Sequence, residues 1–186
     1  VGTIGNGVIS VVLFDQTGNG APLTVENFQS YVDAGSYTNS FINRSIPNFI
    51  IQGGGYTYND STLLDIPSNA PVQNEFSTER SNLRGTIAMA KLENDPNSAT
   101  NQWFFNLGDN STNLDNQNAG FTVFGQAISE SDLGTIDAIA SVPTYNAGGS
   151  FSNLPLTSGE ISDTNFVRFS SITVSQEDEL EFSIVN

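Results

Sequence analysis

Short apolar segments bounded by turn-forming residues recur along the chain, and this pattern constrains the fold more than any other feature of the sequence. Residues 8–14 are β-branched and apolar between flanking glycines, which predicts a buried strand. The same pattern predicts strands over residues 48–52, 86–90, 102–106, 121–126 and 167–174. So many short strands favour an antiparallel barrel or sandwich.

Two other segments carry apolar residues at helical spacing. The first follows Pro22, where Thr24 is the predicted N-cap and Gly35 supplies a C-terminal stop. In the second, Ser129 is the predicted N-cap, and Asp132 lies three residues later, as in a capping box. The sequence therefore predicts a mainly β fold with two amphipathic helices.

The size and composition of the chain are those of one domain without disulfides. Its 186 residues, 37% of them hydrophobic, suffice for a sizeable core. We expect a single domain over residues 1–186, with a core over about residues 2–175 and an acidic C-terminal tail, residues 176–186, that frays. The sequence contains no Cys and no His, which excludes thiol nucleophiles, Ser-His-Asp triads and histidine zinc sites.

Acidic residues outnumber basic residues by 20 to 5, which gives a formal net charge of −15. Because this charge repels phosphate groups, we expect neither nucleic acid nor an anionic membrane as a partner. No apolar run approaches the roughly 18 residues of a spanning helix, so we expect no membrane insertion. Strong acidity with few lysines favours a periplasmic or secreted location over a cytoplasmic one.

Arg44, one of the five basic residues, lies within the strongly apolar segment 41–55. Taken alone, such an arginine is more often buried against a carboxylate or carbonyl group than catalytic. Phe49 and Phe104, taken singly, are likewise more often ordinary core residues. The motifs that follow along the chain change this interpretation.

Three further motifs follow residues 44–54 in order: Gly-Thr-Ile-Ala-Met-Ala at 85–90, Asn-Gln-Trp-Phe-Phe-Asn at 101–106 and Phe-Thr-Val-Phe-Gly at 121–125. Together they resemble the signature of the cyclophilins, and the resemblance covers about residues 2–175. It implies a peptidyl-prolyl cis/trans isomerase with a closed eight-stranded antiparallel barrel capped by two α-helices. It also implies catalysis without a metal or any other cofactor.

The resemblance further implies the active-site residues. Arg44 falls on the catalytic arginine of the family, with Gln52 and Gln102 as its polar partners. The implied substrate-binding residues are Phe49, Ile50, Ala90, Lys91, Phe104, Asn113, Leu114 and Phe121. Strand alternation supports this assignment, because Ile50 and Gln52 share one strand face while Gln102 and Phe104 share another.

The implied substrates are proline-containing peptides and unfolded proteins, and we expect the protein to be a monomer. Rotation about an X-Pro bond breaks no covalent bond, so a fixed guanidinium donor and an apolar pocket suffice. Arg44 would stabilise the twisted amide, while the pocket would hold the proline ring.

Five positions near the expected groove depart from the family pattern, and two of them are Asn48 for a common glycine and Ile50 for a common methionine. Asn113 stands where many relatives carry a tryptophan, which predicts weak cyclosporin binding because an aromatic anchor is missing. Phe121 replaces a frequent histidine and Lys91 a frequent asparagine, but the mechanism requires neither. Residues 56–71 and 144–165 are longer or more divergent than a minimal member needs, and no role is assigned to them.

Two other functions stay open at this point. A cyclophilin-fold module could bind proline-containing segments without turnover. The presence of the implied catalytic and pocket residues argues against this: Arg44, Phe49, Gln52, Gln102 and Phe104. The Asp- and Asn-rich loop 109–115 could instead bind calcium or carbohydrate, but it lacks the glycine and the terminal glutamate of an EF-hand loop.

Overall fold

The structure is a computed structural model that describes residues 4–59, 61–174 and 179–185. The strands and α-helices of these residues are, in chain order, β1 (Val8–Leu13), α1 (Pro22–Asp33), β2 (Arg44–Ile46), β3 (Ile50–Gly53), β4 (Tyr56–Asn59), β5 (Thr62–Asp65), β6 (Thr86–Met89), β7 (Trp103–Asn106), α2 (Ser111–Leu114), β8 (Val123–Ala127), α3 (Glu130–Ala140), β9 (Thr144–Tyr145), β10 (Leu154–Pro155), β11 (Arg168–Val174) and β12 (Glu179–Val185). A single 3₁₀ turn, Gly149–Phe151, lies between β9 and β10.

Eight of these strands form one curled antiparallel sheet in the order β11-β12-β1-β8-β6-β7-β3-β2. The fold is mainly β as predicted, but the sheet is an open half-barrel and not the closed barrel that we expected. Its end strands β2 and β11 do not pair with each other within the described chain, where an isolated bridge from Phe41 to Arg168 connects the two sides. The outer edge of β2 is instead occupied by a loop, because the Ser45 amide donates to the Asn153 carbonyl over 2.9 Å.

The main core lies between the concave sheet and the helices, with α1 against β8 and β11 and α3 against β1 and β3. Phe182 of β12 lies at its centre, since its ring centroid is 5.2 Å from that of Trp103 and 5.5 Å from that of Phe105. We expected residues 176–186 to form a fraying tail. Residues 176–178 and 186 lie outside the described chain. The expectation is wrong for Glu179–Val185, which forms a strand between β1 and β11. Its alternate residues Leu180, Phe182 and Ile184 are buried, which explains the pairing.

The structure contains three α-helices in its described residues, one more than predicted. The capping box of α3 is confirmed, since the Ser129 hydroxyl accepts from the Asp132 amide and the Asp132 carboxylate accepts from the Ser129 amide. In contrast, α1 begins at Pro22, so Thr24 is not its N-cap. Thr24 lies inside the helix, where its amide and hydroxyl both donate to Glu75 over 2.7 Å.

The two segments without an assigned role form a second, smaller apolar cluster beside the open edge. The β4–β5 hairpin and the β9–β10 pair fall within residues 56–71 and 144–165. Their buried side chains Tyr58, Leu154 and Leu156 pack around Phe41 together with Phe166, which directly follows the second segment. No helix in the described ranges has the length and apolar character that crossing a membrane demands.

Candidate active site

Three neighbouring strands, β2, β3 and β7, bring the predicted polar residues together. Arg44 lies opposite Gln52 in the β2–β3 register, and Gln52 lies opposite Phe104 in the β3–β7 register. The predicted alternation is confirmed: Ile50 and Phe104 pack in one apolar cluster, whereas their strand neighbours Ile51 and Phe105 face the main core. The outer face of the sheet therefore carries the candidate site.

The Gln52 side chain links Arg44 to Gln102. Its amide oxygen accepts from Arg44 Nη1 over 3.4 Å, and its amide nitrogen donates to Gln102 Oε1 over 2.9 Å. Arg44 is only partly buried, and neither ion pair found among the described residues includes it. The carboxylate-paired arginine that we considered first is therefore not what these residues form, and most of the five guanidinium donors stay available.

Two consecutive glycines let the backbone approach this polar chain. A Cβ atom on Gly55 would lie 2.8 Å from Gln102 Cδ, closer than real contacts allow. Gly54 has a φ of +83°, and a Cβ there would lie 2.6 Å from the Asn101 carbonyl oxygen. The glycine run after β3 thus leaves room for the Gln102 side chain.

An apolar pocket adjoins the polar chain on the same face. Ile50, Phe104 and Leu114 are buried in it, and Phe49 and Phe121 pack against them at the rim. The Phe104 and Phe121 rings meet edge to face with centroids 5.9 Å apart. The structure therefore brings together the four residues that the resemblance implied for the proline pocket, Phe49, Ile50, Phe104 and Leu114, and adds Phe121 to them.

The remaining three predicted binding residues lie around this pocket. Ala90 and Lys91 line a neighbouring cavity of about 530 Å³ that also borders Arg44, Gln52 and Gln102. Asn113 is exposed on α2, one residue before the buried Leu114, and its side-chain oxygen accepts from the Gln117 amide. Asn113 does not line the cavity.

Lys91 supports the rim of the apolar pocket. Its Nζ donates to the carbonyls of Asn118 and Gly120 over 2.8 and 2.6 Å and lies 4.7 Å from the centroid of the Phe121 ring. Burial lowers the pKa of Lys91 to about 8, although the charge of Asp95 opposes this shift. The ammonium thus fixes the segment that carries Phe121.

A buried amide network beneath the pocket was not predicted. The Asn110 amide donates to the Phe49 carbonyl over 2.9 Å and to Asn106 Oδ1 over 2.7 Å, and the Asn106 amide donates to Asn82 Oδ1 over 3.1 Å. The Asn82 amide in turn donates to the Phe121 carbonyl over 3.0 Å. The network therefore ties both rim phenylalanines to one rigid centre. Asn106 carried the available signal, because its spacing places it on the same strand face as Phe104 of β7 and as Gln102, which directly precedes β7.

The carboxylates Asp109 and Asp115 of the loop considered for calcium accept hydrogen bonds from other groups of the protein. Asp115 Oδ1 accepts from the backbone and side-chain amides of Asn82 over 3.0 and 2.8 Å. Asp109 Oδ1 accepts from the hydroxyl and the amide of Ser111, and these hydrogen bonds lower the Asp109 pKa. Both carboxylates thus order the start and the end of α2. Within the described ranges, no group of three or more His, Cys, Asp or Glu side chains lies close enough together to hold a metal.

Comparison with known proteins matches residues 1–165 to the family model described as cyclophilin type peptidyl-prolyl cis-trans isomerase/CLD. A peptidyl-prolyl cis-trans isomerase of Acinetobacter baylyi is 41% identical over 143 residues, which cover 76% of this chain and 71% of that protein. Peptidyl-prolyl cis-trans isomerase A of Dickeya dadantii is 38% identical over 155 residues, which cover 82% and 76% of the two chains.

The fold is also that of a solved structure. A crystal structure of a Cryptosporidium parvum cyclophilin type peptidyl-prolyl cis-trans isomerase in the presence of the dipeptide Ala-Pro superimposes with a TM-score of 0.61 at 18% identity, over 97% of this chain and 98% of that one. At this identity the likeness concerns the fold alone. The matched family model and the two bacterial relatives show that this chain belongs to the cyclophilin-type peptidyl-prolyl cis-trans isomerase family, and its half-barrel fold agrees with this.

Proposed function

We propose that this member of the family accelerates rotation about X-Pro bonds, with Arg44 stabilising the twisted amide. The observation that carries the proposal is the position of Arg44, which Gln52 holds beside the apolar pocket while most of its donors stay available. Rotation of a prolyl amide faces a barrier of about 18–20 kcal/mol because the planar bond loses its resonance. The twisted nitrogen becomes basic, so a preorganised donor stabilises the transition state more than the planar ground state.

The pocket and the two glutamines complete the mechanism. The proline ring enters the pocket of Phe49, Ile50, Phe104, Leu114 and Phe121, which holds one side of the rotating bond. Gln52 fixes the guanidinium, and Gln102 both fixes Gln52 and offers an amide to the substrate backbone. Positioning and one charged hydrogen bond supply the catalysis, so the reaction requires no metal and no other cofactor.

The natural substrates in this proposal are proline-containing segments of peptides and unfolded proteins. We further propose that the protein acts as a monomer in a periplasmic or secreted setting, on the basis of its acidity. Cyclosporin binding is expected to be weak, because Asn113 is exposed and offers little apolar surface.

NMR exchange spectroscopy on a short Ala-Pro peptide tests the proposal. Isomerase activity predicts cis/trans exchange peaks that depend on protein concentration, and these persist in EDTA. The alternative, a module that binds without turnover, predicts broadened signals with no acceleration of exchange. Activity that disappears with EDTA and returns with calcium would contradict the cofactor-free mechanism.

A further inference from the structure

The cavity next to the apolar pocket differs in charge from the protein as a whole. The chain carries 20 acidic and 5 basic residues. Two of the basic residues, Arg44 and Lys91, line this cavity of about 530 Å³, whereas its lining contains no Asp or Glu among the residues that the structure describes. A cleft lined by charges of one sign concentrates ligands of the opposite sign.

The two cations act in different ways. Arg44 uses one hydrogen bond to Gln52, and its fork can contact both a prolyl nitrogen and a second acceptor. The Lys91 ammonium is already bound to two carbonyl groups, so it acts on the cavity through its field. Asp95 is the carboxylate whose charge affects Lys91, and it does not line the cavity.

Strand geometry fixes the distance between the cavity and the proline pocket. Gln102 borders the cavity and Phe104 lies in the pocket. Residues two apart in a strand are separated by about 6.4–6.8 Å. An extended peptide with its proline in the pocket therefore places the side chain of a residue one or two positions away at the cavity.

We propose that this cavity binds an acidic side chain of the substrate, one or two residues from the proline. The preferred substrates are therefore X-Pro segments with a neighbouring Asp or Glu. This inference rests on the proposed isomerase function and specifies its substrate class. A competing feature is the buried Asn43 amide oxygen at the cavity, which has no hydrogen-bond partner among the described residues and would favour a carboxamide instead.

Matched peptide pairs separate these possibilities. Each pair places Glu or Gln at one of the four positions within two residues of the proline, and kcat/KM is measured by NMR exchange. At one position the Glu peptide is expected to be favoured about threefold to fivefold in low salt, as for a partly exposed ion pair. About 0.5 M salt should abolish most of that preference. Equal values at all four positions, or a preference for Gln, would overturn the inference.

Two variant pairs test the source of the preference. Ser68 is an exposed residue of the cavity lining, so Ser68→Glu should lower the Glu-to-Gln ratio while Ser68→Gln should not. Likewise, Lys91→Met should lower the ratio and Lys91→Arg should retain it. A ratio that Ser68→Glu and Lys91→Met leave unchanged would overturn the inference.

Binding of the same peptides, followed by NMR titration, separates the two proposals. Absence of turnover with tighter binding of the Glu peptide contradicts the isomerase proposal and supports the charge preference. Turnover with equal affinities for Glu and Gln peptides supports the isomerase and contradicts the preference.

Discussion

Arg44 and Gln52 lie directly opposite one another on antiparallel strands, and Arg44 Nη1 donates to Gln52 Oε1 over 3.4 Å. The other end of the Gln52 amide is bound to Gln102, so the amide cannot flip without breaking both contacts. The guanidinium is thus oriented by a neutral group, which leaves its charge uncompensated. A carboxylate in the place of Gln52 would neutralise the charge that the proposed mechanism uses.

Replacement of Arg44 is expected to impair catalysis while the fold persists. Arg44→Ala should lower kcat/KM by roughly 10- to 1000-fold, since a charged hydrogen bond made mainly in the transition state contributes about 1.5–4 kcal/mol. Arg44→Lys should also be impaired, because an ammonium lacks the planar fork. Peptide exchange assays together with circular dichroism measure both effects.

Arg84→Ala is the matched control, because it removes the same charge from an exposed pair with Asp137. Its activity should stay close to that of the unchanged protein. Near wild-type rates in both folded Arg44 variants would mean that catalysis takes place elsewhere.

Asn113→Trp is expected to create tighter cyclosporin binding. An aromatic anchor of this kind contributes about 2 kcal/mol, which corresponds to at least tenfold in affinity. Peptide turnover should change less than the inhibition constant, because Asn113 is exposed on α2 and lies outside the cavity lining. Nanomolar inhibition of the unchanged protein by cyclosporin would contradict the assignment of Asn113 to the position where many relatives carry a tryptophan.

Stability is expected to depend on pH through Lys91. Because burial lowers its pKa from 10.5 to about 8, the unfolded state binds more protons than the folded state between these pH values. The contribution of Lys91 to the free energy of unfolding should therefore rise as the pH increases from about 8 to about 10.5. Urea unfolding of the unchanged protein and of Lys91→Met, compared at each pH, isolates this contribution. A difference that stays flat or falls with pH would argue against the shift.

The last strand is expected to be essential for folding. Phe182→Ala should lower the free energy of unfolding by about 3–5 kcal/mol, because its ring is fully buried against four other aromatic rings. Glu179 on the same strand is exposed, so Glu179→Ala serves as the control. It should change the free energy of unfolding by no more than about 0.5 kcal/mol. Equal stabilities of the two variants in urea unfolding would show that β12 is dispensable.

The sequence predicted the strands that are apolar along most of their length, and it failed where buried residues alternate with charged ones or where the strand is very short. Trp103–Asn106 and Thr86–Met89 agree with the predictions to within one residue. The strand Glu179–Val185 was missed because Glu179 and Glu181 alternate with its buried residues and give the segment the composition of a solvated tail. Arg44–Ile46 is too short for a pattern, and its pairing with β3 defines it.

The candidate site was predictable from motifs, but its supports were not. Phe49, Ile50, Phe104 and Leu114 lie in one cluster, as the resemblance implied. Only Asn106 of the amide network shares a strand face with the motif residues; Asn82 and Asn110 could not be inferred, because asparagine is common in surface turns and only the packed fold buries them. Closure of the barrel was predicted wrongly because no local pattern reports which partner an end strand selects.

The hydrogen bond between the Ser45 amide and the Asn153 carbonyl links the strand of Arg44 to the loop that precedes β10. β2 has one strand neighbour, and on its other side the loop that contains Asn153 replaces the second. Sequence changes in that loop can therefore alter how rigidly the guanidinium is held. Amide hydrogen exchange at Ser45 reports directly on the docking of the loop: slow exchange means that it stays in place, and fast exchange means that it opens.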